Sequence, residues 1–116
     1  MPTDSSNLAY RAAQLFLQRT NKQSDGIRIH IEKHNPIAAG LAGGSTDAAA
    51  VLVLLNDLYQ TGLTQEQLME MGLALGADVP FCIAGGTMLA EGIGEVLTPL
   101  PHAPQAFVVL CKPPVA

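Results

Sequence analysis

The chain has 116 residues, 48% of them hydrophobic and 14% charged, with a formal net charge of −4. That length accommodates one domain of ordinary size. The acidic balance excludes a basic field that could hold nucleic acid or an anionic membrane surface, so any anionic ligand has to be held locally. The longest apolar run, residues 48–55, falls far short of the roughly 20 residues needed to span a bilayer. The opening MPTDSSN lacks the basic-then-apolar order of a secretory signal. Cys82 and Cys111 belong to no C-x-x-C or Cys/His ligand pattern, which favours free thiols over a disulfide and makes the cytoplasm the expected location.

In chain order, the cap-forming cluster TDSSN precedes Leu8, Ala12, Leu15 and Phe16, whose spacing predicts an amphipathic helix over residues 8–17. A strand is predicted next. Ile27, Ile29 and Ile31 alternate with Arg28, His30 and Glu32, giving one apolar and one polar face over residues 26–34. After a glycine-rich loop, residues 48–59 are apolar nearly all round, as in a helix buried on most sides. Thr64 with Gln67 is a capping-box pair, opening a helix that continues to about Leu75 and can end at Gly76. GADVPFCIAGG reads as a turn with a short helical piece. Short strands are expected at residues 86–90, 94–98 and 106–111, joined by glycine and proline turns. The fold class is α+β, with no repeat or linker dividing the chain.

The loop PIAAGLAGGSTDAAA joins a strand to a helix, so its N–H groups and those of the first helical turn can converge on one anion, which the helix dipole also favours. Gly40, Gly43 and Gly44 permit backbone conformations closed to other residues and remove side chains that would hold phosphate oxygens away. Ser45 and Thr46 add hydroxyls. The alternative is a glycine/alanine turn that lets a helix pack closely on a sheet. Neither standard phosphate motif fits: no lysine follows the glycines as in G-x-x-x-x-G-K-[ST], and the spacing fails G-x-G-x-x-G.

The stretch PIAAGLAGGSTDAAAVLVLLNDLY resembles the P-x-x-x-G-L-x-[GS]-S-[ST]-x-A-A signature of the GHMP kinases. DSSNLAYRAAQLF, LGADVPFCIAGGTMLAEGIGEVLTPL and KPPV are similar to one branch of that family, which acts on a diphosphocytidyl-methylerythritol in isoprenoid precursor synthesis. The resemblance runs over residues 3–115. It implies a kinase that uses ATP and Mg2+ to phosphorylate the 2-hydroxyl of that small-molecule substrate. The fold it implies is a two-layer α/β N-domain like the second domain of ribosomal protein S5, with helices on a mixed sheet.

By the same resemblance, the ATP phosphates are wrapped by Gly40, Leu41, Ala42, Gly43, Gly44, Ser45 and Thr46. Ala42 stands where many relatives have glycine. The catalytic aspartate falls on Asp78, and adenine contacts fall on Asn7 and Lys33. A carboxylate that accepts or orients the attacking hydroxyl's proton is what phosphoryl transfer asks for. From spacing alone Asp78 reads equally as a turn initiator before Pro80.

Other residues invite weaker readings. Asp47 lies in the first turn of the loop helix and reads as structural, or at most as a modest influence on magnesium. His30 and His34 are about 13 Å apart on a strand, and no third ligand completes a zinc site. No protein metal site is expected. Asn56 and Asp57 end a helix or meet solvent, Glu91 and Glu95 flank a solvated turn, and Lys112 follows a strand.

The resemblance further implies that the chain is an incomplete N-domain. An N-terminal strand segment, with a lysine and the cytidine-binding aromatic and histidine positions, and a C-terminal domain would lie outside it. A nonenzymatic nucleotide-binding remnant or association module is the alternative. No nucleic-acid or membrane partner is expected. Unpaired sheet edges make self-association the expected liability.

Overall fold

The computed structural model describes residues 7–22, 26–34, 41–111 and 113–114. Asn7 caps the first helix, its Oδ1 accepting the Ala9 N–H at 2.9 Å, and α1 runs Leu8–Thr20. It continues one turn beyond the predicted end. Arg19 in that last turn suits the dipole, and Asn21 closes the helix at φ 58°, a left-handed conformation asparagine tolerates. The face toward the core is Ala9, Ala12, Ala13 and Phe16. Three small residues beside one large one let the next helix approach closely.

That helix, α2, spans Gly43–Leu58 and buries Ala48, Ala49, Val51, Leu52 and Leu55. It begins five residues before the apolar run that announces it. The expectation of burial on most sides fails on one face, where Val53, Leu54 and Leu58 are exposed. Among the described residues, Ile27 and Ile29 border this face with Leu54 and Leu58 and leave an open groove.

Asn56 shapes the turn after α2. Its Oδ1 accepts the Thr61 hydroxyl at 2.6 Å and the Leu63 N–H at 3.0 Å, while its Nδ2 donates to the Leu63 carbonyl at 3.1 Å. Helix α3, Gln65–Leu73, opens with the complete capping box: Thr64 accepts from Gln67 N–H, and the Gln67 side chain accepts from Thr64 N–H. The short helix α4, Val79–Ala84, follows with Pro80 in its first turn. Pro80 needs no intrahelical donor there. Gly72 of α3 makes room for α4, since a Cβ at that position would stand 2.7 Å from Val79 Cγ1.

Strands β1, Met88–Glu91, and β2, Val96–Pro99, form an antiparallel hairpin with Met88 opposite Pro99 and Glu91 opposite Val96. The α+β class holds. Two predicted strands are corrected: residues 26–34 and 106–111 carry no ladder among the described residues. Residues 26–34 keep strand periodicity all the same, with Ile27, Ile29, Ile31 and Lys33 half-buried between exposed neighbours, and the three isoleucines pack on the helical core. Period 2 follows from local chemistry, whereas a ladder needs a partner strand, which these segments do not find among the described residues. Phe107, Val108, Val109 and Leu110 are exposed outright.

Candidate active site

Two elements carry the predicted site residues. The first is the start of α2, whose cap residue Ala42 has left-handed backbone, φ 57° and ψ 29°, and offers no side-chain hydrogen bond to the first turn. That turn contains no acidic residue. Among the described residues, no side chain therefore caps its N–H groups and no carboxylate of the first turn meets the positive end of the dipole. Gly44 is exposed, and a Cβ added there would meet nothing within 4 Å. Neither packing nor a left-handed backbone calls for glycine at this position, so the close-packing alternative does not account for it.

The hydroxyls divide. Thr46 Oγ1 donates to the Ala42 carbonyl at 2.7 Å, reinforcing the Thr46 N–H bond to the same oxygen at 2.9 Å. Thr46 thus tightens the turn itself. Leu41 is exposed and Ser45 half-buried beside it. Gly40 lies outside the described residues.

The second element is the start of α4. Asp78 occupies its N-cap position at φ −89° and ψ −11° with no side-chain capping bond, and it is exposed. A cap normally takes extended backbone and engages the N–H groups ahead of it. Asp78 does neither, so its carboxylate is not consumed by the turn. One turn on, Cys82 N–H bonds to the Asp78 carbonyl at 3.2 Å, and the Cys82 sulfur touches Thr46 Oγ1 at 3.6 Å. That contact ties the helix carrying Asp78 to the glycine turn.

Lys33, predicted to contact adenine, pairs through Nζ with Asp47 Oδ2 at 3.1 Å, both side chains being largely covered. Asp47, expected in the first turn and read as structural, lies one residue beyond that turn because α2 begins at Gly43, and it holds a cation there. Asn7 serves as the cap of α1, its oxygen occupied by Ala9. His30 and His34 both face Glu32, at 3.7 and 3.8 Å, from fully solvated positions. No three His, Cys, Asp or Glu side chains gather into a metal-holding group among the described residues.

Three participants escape sequence reasoning: Asp47 as partner of Lys33, Cys82 as partner of Thr46, and Gly94 of the hairpin turn, whose Cα faces Asp78. The lone readable signal was a glycine pair bracketing Ile93. Each contact joins residues distant in sequence.

No helix among the described residues is long and apolar enough to cross a membrane. Comparison with known proteins identifies relatives of this chain. A "4-diphosphocytidyl-2-C-methyl-D-erythritol kinase" of Lachnoclostridium phytofermentans is 54% identical over 116 residues, which is 100% of this chain and 40% of that protein. The protein of the same name from Caldicellulosiruptor bescii is 55% identical over 99% of this chain and 40% of its own length. A crystal structure of "4-(cytidine 5'-diphospho)-2C-methyl-D-erythritol kinase" superposes with a TM-score of 0.76 at 46% identity, covering 86% of this chain and 36% of that one. The chain thus spans about 40% of the length of the curated relatives it matches. The GHMP kinases N terminal domain matches residues 7–86, the stretch that contains the α2 turn and Asp78, and the chain belongs to that family.

Proposed function

We propose that the chain forms the nucleotide-binding and proton-accepting part of a cytoplasmic kinase that phosphorylates the 2-hydroxyl of 4-diphosphocytidyl-2-C-methyl-D-erythritol with ATP. The observation that carries this reading is the start of α2, a helix N-terminus with no carboxylate in its first turn, no capping side chain among the described residues and an unobstructed Gly44. Such a turn accepts phosphate oxygens through backbone N–H groups. The Ser45 hydroxyl can join them, while the Lys33 charge beside the turn is offset by its partner Asp47.

Phosphoryl transfer depends mainly on positioning and charge neutralisation. The turn holds the donor phosphates, and Asp78, attached to it through α4 and the Cys82–Thr46 contact, receives or orients the proton of the attacking hydroxyl. Magnesium would enter with the nucleotide and would spread the negative charge of the phosphates. The names of the relatives supply the acceptor. The exposed apolar side chains of Leu54, Leu58 and residues 107–110 make self-association a property of the isolated chain.

The test is Asp78→Asn in a full-length kinase carrying this segment, followed by coupled ADP release and by calorimetry with ATP. Turnover should fall by roughly two to four orders of magnitude with nucleotide affinity retained. Near-normal turnover returns Asp78 to the turn-forming role.

A further inference from the structure

We propose that Gly94 is a positioning residue for the Asp78 carboxylate: by presenting bare backbone, the tip of the β1–β2 hairpin keeps one edge of that carboxylate clear for the incoming hydroxyl. The proposal rests on the reading of Asp78 as the proton acceptor. Gly94 has φ +112°, and a Cβ built on it would stand 3.4 Å from Asp78 Oδ1, 3.7 Å from the Ala77 carbonyl and 4.0 Å from Ala77 Cβ. A methyl there would be in contact with the carboxylate oxygen, excluding water and an incoming hydroxyl from that side. It would also force an alanine into a backbone conformation that L-residues rarely adopt.

The tip is ordered, so this approach is built in. Gly94 N–H bonds to the Glu91 carbonyl at 3.1 Å, and Glu95 Oε2 accepts the Ile93 N–H at 3.1 Å. Glu95 thus folds back over its own turn and away from a role as an acid/base partner of Glu91. The hairpin register, Glu91 opposite Val96, sets Gly94 at the tip. From there it reaches Asp78, sixteen positions earlier in the chain. The sequence pattern G-I-G therefore contains two glycines with different duties. Gly92, φ +70°, would direct its Cβ onto the Glu95 carboxylate, whereas Gly94 alone of the pair faces Asp78.

That difference provides the control. In a full-length kinase carrying this segment, Gly94→Ala should lower kcat by about tenfold or more while the ATP dissociation constant stays within about twofold, as expected when an acceptor group is misplaced and donor binding is not. Gly92→Ala also places an alanine at positive φ in the same turn, at +70° rather than +112°, and its Cβ meets the flexible Glu95 side chain instead of Asp78, so kcat should stay within about threefold. In an Asp78→Asn background, Gly94→Ala should cost little further, because interacting residues are not additive.

Near-normal kcat for Gly94→Ala beside an inactive Asp78→Asn overturns the proposal alone, as do equal losses for the two glycine variants or a full additive loss in the Asp78→Asn background. Near-normal turnover of Asp78→Asn overturns the reading beneath it as well. If Gly94→Ala does not fold, the unsubstituted protein decides: a nuclear Overhauser contact between Gly94 Hα and the Ala77 methyl is expected, and its absence overturns the proposal.

Discussion

Ala42 holds a left-handed backbone at φ 57°, which costs an alanine roughly 1–2 kcal/mol relative to right-handed geometry. Replacing it with glycine should therefore stabilise the fold by about 1 kcal/mol, net of the added freedom of the unfolded chain. Thermal unfolding should show a midpoint raised by about 4 °C or more, and an unchanged midpoint would mean that Ala42 is not strained. Gly44 predicts the opposite balance. Gly44→Ala should stabilise α2 by up to about 1 kcal/mol, since the added Cβ meets nothing and alanine favours helix, yet it should weaken ATP binding in calorimetry because the methyl occupies space kept for phosphate. A variant that gains stability and keeps full affinity would sink the phosphate-cradle reading. The sequence displayed this site as a run of glycines, but it could not show which residue turns left-handed. The strain lies on Ala42, and the glycines beside it are helical. Nor could it show that Thr46 spends its hydroxyl on the turn, because that bond exists only once the helix has formed.

Among the elements, α3 and α4 approach through Gly72, where a Cβ would come within 2.7 Å of Val79 Cγ1 and 3.2 Å of Ile83 Cδ1. Val79 is fully buried and β-branched, so it cannot swing aside. Gly72→Ala should cost about 1–3 kcal/mol by overpacking, more than the roughly 1 kcal/mol that alanine returns in helix propensity. Because Val79 adjoins Asp78, kcat should fall along with the unfolding midpoint, whereas a purely local loss of stability would leave kcat intact. The capping box of α3 was legible from Thr64 and Gln67, since both partners lie within one turn. The start of α2 was not, because glycines read as loop although a first turn tolerates them. Residues 26–34 show the limit most plainly. Alternation gave away their two faces but could not supply the neighbour on which a ladder depends.

At the level of the whole molecule, the accessible surface is 8296 Å², against about 6000 Å² for a compact monomer of this mass. The radius of gyration, 15.2 Å, likewise exceeds the roughly 13 Å expected for the length. Much of the surplus is apolar: Leu54, Leu58 and residues 107–110 are all exposed. Uncovered surface with strand-forming composition favours association. Sedimentation of the 116-residue chain should show concentration-dependent dimers or larger species, and a clean monomer across the micromolar range would contradict this. Catalysis makes a matching demand. Phosphoryl transfer draws on several groups acting together, and the chain spans about 40% of its relatives' length. By itself it should release no measurable ADP in the presence of the diphosphocytidyl substrate, while a full-length kinase carrying it should. Robust turnover by the 116 residues alone would refute that expectation.

The Lys33–Asp47 ion pair joins residues fourteen positions apart at 3.1 Å and thereby closes a loop around the segment that leads into the turn. Closing a loop removes configurations of the chain within it. The contact fixes Lys33 against the start of α2 before any nucleotide arrives, and a preorganised site retains more of its contact energy as affinity. The pair is only partly screened, so added salt weakens it less than it weakens a free surface pair. By this account ATP affinity, measured by calorimetry, should be lower in Asp47→Asn, where the tie is absent at every ionic strength, than in the unsubstituted protein, and equal affinity would mean that the pair does not preorganise the site.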